Sequence, residues 1–240
     1  MLNYEELRKQ PRRFLALTGL TLREFKSLLP AFVRAYQKLY PAEQTQAGTD
    51  RHRRPGGGRP AVLFSPEAQL LFILVYQKTY ALQVVQGELF GLGQSQANYW
   101  IHHLLPVLQL ALAALGFKPE REGAHFAKHE RNNQARRDLI IDGTDRRRQR
   151  PKKPEKQAAH YTGKRKAHTD KNVIIATRST KRIAFLSATY AGAVSDKKIA
   201  DQAQIVYPCR TRLHKDLGLQ GYEPRVARTY QPKKSRAHAN

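Results

Sequence analysis

The sequence predicts an α+β protein, with an N-terminal helical region that closes on a helix-turn-helix and then an α/β region. Three observations predict it. Apolar residues recur at the helical period as far as about residue 117. From Leu139 onward they gather in short β-type runs bounded by turn residues. The charge shifts with the pattern, from 14 Lys and Arg against 8 Asp and Glu in residues 1–120 to 29 against 11 in residues 121–240. The expected divisions are a helical segment at 1–46, a basic glycine-rich linker at 47–64, a helix-turn-helix domain at 65–117 and a C-terminal domain at 118–240.

In the first segment Leu22, Phe25, Leu28, Leu29, Phe32, Val33, Tyr36 and Leu39 mark one amphipathic helix. Thr21 and Glu24 have the spacing of a capping box at its start. Pro30 is expected to kink or divide it. The linker "QTQAGTDRHRRPGGGRP" has no apolar period, and its Arg51, Arg53, Arg54 and Arg59 suit phosphates or a minor groove as well as they suit plain solvation. Ser65 then caps a helix that Pro66 begins, and Leu70, Leu71, Ile73, Leu74 and Val75 make that helix apolar nearly all round. A short helix from about Ala81 to Phe90, a turn at Gly91 and Gly93, and a helix from about Ser95 complete the helix-turn-helix pattern. Ala97, Trp100, Ile101 and Leu104 share one face of the last helix, and Gln94, Gln96, Asn98 and Tyr99 share the other. Gln and Asn side chains can pair with the adenine edge in a major groove, so these four are candidate DNA-binding residues. A plain three-helix packing unit is the alternative.

In the α/β region "DLIIDGT" reads as a strand, "NVIIATRS" and "RIAFLSATY" as a hairpin, "SDKKIADQAQIV" as a helix capped by Ser195, and "TRLHKD" as a final short strand. Asp142 thus ends the first strand and Asp216 lies just past the last. Two carboxylates at the ends of neighbouring strands can hold Mg²⁺ or Mn²⁺, which prefer oxygen ligands and serve phosphoryl transfer. Asp142 is followed by Gly143, and Asp-Gly is also a common turn pair. Between Arg146 and Lys166 there are ten Lys and Arg and a single acid, Glu155.

The formal charge of +24 and pI near 10.4 imply a polyanionic partner, first of all nucleic acid. No run reaches transmembrane length, the polar start "MLNYEELRKQ" is no signal peptide, and no lipidation motif is present. With Cys209 as the only cysteine, neither an intramolecular disulfide nor a thiolate zinc cluster is possible, and a reduced, cytoplasmic, nucleoid-associated protein is expected.

The helix-turn-helix followed in order by "DGTDRRRQRP", "YTGKRKAHTDKN", "GAVSDKKIADQ" and "KDLGLQGYEP" resembles a prokaryotic insertion-sequence transposase of the DDE superfamily, from about Thr18 to Lys234. The resemblance implies an RNase H-like α/β domain. It implies that Asp142 and Asp216 are catalytic and bind metal, and that Arg146, Arg147, Arg148, Arg150, Lys164, Lys166, His168 and Lys171 contact DNA. Asp145 stands where the family usually has glutamate. Asp196 matches a further recurrent acid at the head of a helix, where a capping role is expected. The family's third acid is a glutamate on a late helix, but the sole carboxylate after Asp216 is Glu223, seven residues on. The catalytic domain is therefore expected to be partial and C-terminally truncated. Tyr99 and Gly93 also depart from the family, which often has arginine and a capping serine there.

The resemblance implies binding to the terminal inverted repeats of an element, metal-dependent cutting and joining of the freed 3′-hydroxyl to target DNA. Expected partners are double-stranded DNA, at transposon ends and target, and further copies of the chain on that DNA. A catalytically inactive DNA-binding remnant or repressor is the alternative. An RNA-binding role is weaker, because no RRM, KH or cold-shock signature is present.

Overall fold

A computed structural model describes residues 1–43, 49–50, 62–128 and 138–232. Its contacts divide the chain into two compact units, Met1–Lys118 and Pro119–Asn240. Arg51, Arg53, Arg54 and Arg59 of the expected linker lie outside the described residues.

The first unit is helical, and its first four helices begin at a side-chain cap or a proline. The Asn3 side chain accepts from the Glu5 N–H and opens α1 (Tyr4–Leu7). Pro11 takes the first position of α2 (Pro11–Thr18), which ends on Gly19 at φ 74°. Thr21 and Glu24 form the capping box that opens α3 (Leu22–Leu39). Pro30 lies inside α3 without dividing it. The carbonyl it cannot pair belongs to Lys26, and both residues are exposed, so water can take over the lost bond. Ser65 caps α4 (Pro66–Thr79), in which all six residues from Leu70 to Val75 are buried. This helix is central because α1, α2, α3 and α6 all pack on it. Phe14, Phe25, Phe32 and Phe72 are fully buried in the same core, so the N-terminal helices and the helix-turn-helix share one apolar interior.

The helix-turn-helix itself is α4, α5 (Gln83–Phe90) and α6 (Gln94–Ala114). Buried Gln86 donates through Nε2 to the Phe72 carbonyl at 2.9 Å, tying α5 to α4. Gly91, at φ 67°, ends α5 in the left-handed region. Gly87 answers a different need, since a Cβ there would run into the Leu92 carbonyl oxygen.

The second unit is a mixed sheet with helices. Strand β1 (Asp138–Arg147) pairs antiparallel with β3 (Ala167–Thr177) and parallel with β6 (Arg212–Lys215). Beyond β6 lies β7 (Arg228–Tyr230), and on β3 sit β2 (Tyr161–Thr162), β4 (Ile183–Leu186) and β5 (Tyr190–Ala191). Leu139, Ile141, Val173, Ile175 and Leu213 line one face, and Ile199 and Ala200 of α8 (Asp196–Gln202) cover it. The α+β class expected from the sequence is observed.

Four details differ from the sequence expectation. Strand β1 does not stop at Asp142 but continues to Arg147 in the ladder with β3. Its last residues are polar and carry no apolar signal; cross-strand partners such as Asp145↔Lys171 and Arg146↔Asp170 sustain them instead. The run "RIAFLSATY" divides into β4 and β5. The basic run contains a helix, α7 (Pro154–His160), begun by Pro154. Strand β7 has no alternating apolar pattern to announce it. Among the described residues no helix is long and apolar enough to cross a membrane.

Gly87→Ala should cost about 1–3 kcal/mol, because the added methyl must push the α5–α6 turn open. Chemical denaturation measures this; wild-type stability would show that the turn yields freely.

Candidate active site and nucleic-acid interface

The parallel ladder between β1 and β6 ends at Ile141↔Lys215. The next residue on each strand is an acid, Asp142 on one and Asp216 on the other. Register therefore makes neighbours of two carboxylates 74 residues apart in sequence. Each is steadied by local backbone. Asp142 Oδ1 accepts from the Gly143 N–H at 2.8 Å, and Asp216 Oδ1 accepts from the Gly218 N–H at 3.0 Å. The Asp216 carbonyl accepts from Gln231 Nε2 at 2.6 Å, which ties it to the chain beyond β7.

Partial burial pushes the Asp142 carboxyl above the usual carboxylate range, and the charges of Asp216 and Asp196 push it further. The Gly143 N–H and Lys164 oppose the rise. Asp142 is thus a strand residue, not the start of an Asp-Gly turn.

Asp196 joins this neighbourhood, and it does not cap α8. Ser195 is the cap, its Oγ accepting from the Lys198 N–H at 3.3 Å. That corrects the capping role expected for Asp196. The free carboxylate turns toward buried Lys171, whose Nζ stands 3.2 Å from Asp196 Oδ1 and 3.8 Å from Asp145 Oδ1. Both are ion pairs without hydrogen-bond geometry, and both oxygens are buried with no hydrogen-bond partner. The sequence held a usable sign of this. A serine directly before an aspartate at a helix start takes the cap and leaves the acid free to point elsewhere.

The donors near Asp142 are carboxylate oxygens, which suit a hard divalent cation, whereas Asp196 Oδ1 is already paired with the Lys171 ammonium. Among the described residues, no three His, Cys, Asp or Glu side chains converge as ligands of one ion. Glu223 is engaged elsewhere, 3.2 Å from the buried Lys215 ammonium.

Several of the expected DNA contacts are bonded to other side chains of the protein, although Arg146, Arg148 and Arg150 remain exposed. Lys171 is buried between two acids. Arg146 donates to Asn172 Oδ1 at 2.7 Å, Arg148 to Asp170 Oδ1 at 2.9 Å, and Arg150 to Gln157 Oε1 at 2.9 Å. The ring of half-buried His168 meets Tyr161 edge-on. Arg147, Lys164 and Lys166 are exposed.

On α6, Gln94, Gln96 and Tyr99 are exposed and Asn98 is half-buried. Gln96 Oε1 accepts from the Gly93 N–H at 3.2 Å, the half of a capping box that glycine allows. The Tyr99 ring stacks on His103, which in turn stacks on Tyr40 at the end of α3. Residues 65–117 carry one cation, Lys78, against Glu67 and Glu88. The cations of this unit lie instead on the helices before it, where Arg23, Lys26, Arg34 and Lys38 are exposed along α3.

Residues 62–114 match the helix-turn-helix of the DDE superfamily endonucleases, and residues 141–239 match the DDE superfamily endonuclease domain itself. The chain thus carries two domains of the DDE superfamily. It has the two domains of a transposase of that superfamily, one for DNA binding and one of endonuclease type. Members of the superfamily generally use divalent metal ions. No curated protein and no solved structure matches the chain.

The raised Asp142 pKa has a definite consequence for stability. A carboxyl whose folded pKa exceeds its unfolded value of about 3.9 destabilises the fold as pH rises through that interval. In metal-free buffer Asp142→Asn should therefore raise the thermal midpoint at neutral pH. The gain should vanish near about pH 3, where the carboxyl is protonated in both states. A lower midpoint at neutral pH would contradict the cost of burying this charge beside Asp216 and Asp196.

Proposed function

We propose that this chain binds the terminal inverted repeats of an insertion sequence through α6, and that Asp142 and Asp216 are the acids of a metal-dependent strand-cleavage site. One observation carries the catalytic part: the β1–β6 register makes these two acids neighbours at the end of a parallel ladder. The two acids would hold Mg²⁺ or Mn²⁺ through their carboxylate oxygens. When bound, such an ion activates the attacking oxygen and stabilises the leaving one. The residues of the chain bind and orient: exposed Lys164, Lys166 and Arg147 hold phosphate, while Arg146, Arg148 and Arg150 shape the surface through their internal bonds. Further copies of the chain on DNA belong to the same reading.

The helix-turn-helix has too few cations to hold DNA phosphates by itself. In this reading α3 supplies them through Arg34 and Lys38, with Gln94 and Asn98 at the base edges. Replacing Gln94 and Asn98 by Ala should cost about 1–3 kcal/mol on the proper site and little on random DNA. Equal losses on both DNAs would remove them as base readers. Arg34→Ala with Lys38→Ala should weaken both DNAs alike and flatten the log–log salt dependence by about 0.9 per lost phosphate contact. An unchanged slope would leave that stripe a solvated face.

A second reading, DNA binding without cleavage, is favoured by the acids themselves: among the described residues no three converge, and Lys171 engages Asp196. Incubation of the chain with end-sequence DNA and Mg²⁺ or Mn²⁺ separates the two. Cleavage lost in Asp142→Ala supports the enzyme; binding without metal-dependent cleavage supports the second reading.

A further inference from the structure

Gly143 and Gly218 are glycines for space, not for backbone conformation. Neither is among the residues of positive φ. A Cβ on Gly143 would overlap the Asp196 carboxylate, standing 2.7 Å from Oδ2 and closer still to Oδ1. A Cβ on Gly218 would stand 2.9 Å from the same Oδ2. One carboxylate thus occupies the place of two missing side chains. Those two places adjoin the acid pair. Gly143 follows Asp142 directly and donates to it, and Gly218 donates to Asp216 Oδ1 at 3.0 Å. On its other side the same carboxylate is held by Lys171, itself only 8% exposed, at 3.2 Å.

We infer that Asp196 is a positioning residue for the acid pair. Its carboxylate, held by Lys171, fills the space over Gly143 and Gly218 and sets the separation between the Asp142 strand and the Asp216 loop. This inference rests on the reading of Asp142 and Asp216 as a metal-binding pair. It also explains why a short, charged residue begins α8. A longer side chain would not fit between two backbones, and an apolar one would leave the Lys171 ammonium with Asp145 alone.

A double-mutant cycle on the full chain tests it, with two readouts: the thermal midpoint and Mn²⁺ affinity from the paramagnetic resonance of the free ion. Gly143→Ala should lower the midpoint by several degrees in the wild-type background. In the Asp196→Ala background the same change should cost little, because the methyl enters the space the carboxylate has left. Asp196→Ala alone should weaken Mn²⁺ binding roughly 10–100-fold, as loss of a supporting contact does at metal sites. Should Asp196→Ala fail to fold, Asp196→Ser serves instead: it vacates the same space and is tolerated at a helix start. An equal cost of Gly143→Ala in both backgrounds would overturn the inference. So would unchanged Mn²⁺ affinity in Asp196→Ala when Asp142→Asn abolishes binding, since a purely structural residue behaves that way. If neither Asp142→Asn nor Asp216→Asn alters Mn²⁺ binding, the metal reading falls instead. The midpoint cycle alone then decides whether Asp196 spaces the two segments.

Discussion

The parallel pairing of β1 with β6 is the constraint on which the candidate site depends. Its last rung, Ile141↔Lys215, leaves Asp142 and Asp216 side by side. The rung is held from below by burial, because Leu139, Ile141 and Leu213 are all fully covered. A slip of β6 by one residue, with β1 held in register by β3, would turn Leu213 away from the core. The buried apolar face therefore sets the geometry of the acids at its edge. Lys215 adds a second fastening, its buried ammonium donating to the Tyr222 carbonyl at 2.5 Å and so anchoring the loop that follows Asp216.

Charge around the acids is balanced locally rather than by the chain's surplus of cations. Lys171 serves Asp145 and Asp196 together, while Asp142 has only the influence of exposed Lys164 and a backbone N–H. Asp142 is thus the less compensated carboxylate, and burial with the charges of Asp216 and Asp196 raises its pKa. The arginines nearest in sequence turn to Asn172, Asp170 and Gln157 instead. The basic run is then partly scaffolding, in which exposed guanidinium groups use their several donors to tie this stretch to β3 and α7.

The helical unit solves a separate problem. Helix α4 is apolar on all sides and must be enclosed, so α1, α2, α3 and α6 gather round it. Enclosure brings the cationic α3 against the nearly uncharged α6, joined by the ring stack of Tyr40, His103 and Tyr99. The exposed amide side chains of α6 and the exposed cations of α3 thereby sit on different helices of one core.

Much of this was legible in the sequence. Caps and periodicity placed α3 and α4 from Thr21, Glu24, Ser65 and Pro66, because those effects are local and each residue acts on its own turn of backbone. The three apolar strands of the β1, β3 and β6 core were visible for the same reason, and the motif order pointed to Asp142 and Asp216. Tertiary structure alone decided the rest. The polar half of β1 is a strand only because β3 supplies partners such as Asp170 and Lys171. The spatial role of Gly143 exists only once α8 has brought Asp196 against it, 53 residues later in the chain. Lys171, read along the sequence as a phosphate contact, lies buried between Asp145 and Asp196. Sequence specifies what each residue can do with its immediate neighbours; which distant carboxylate meets which ammonium is set by packing, when the sheet and helix close on each other.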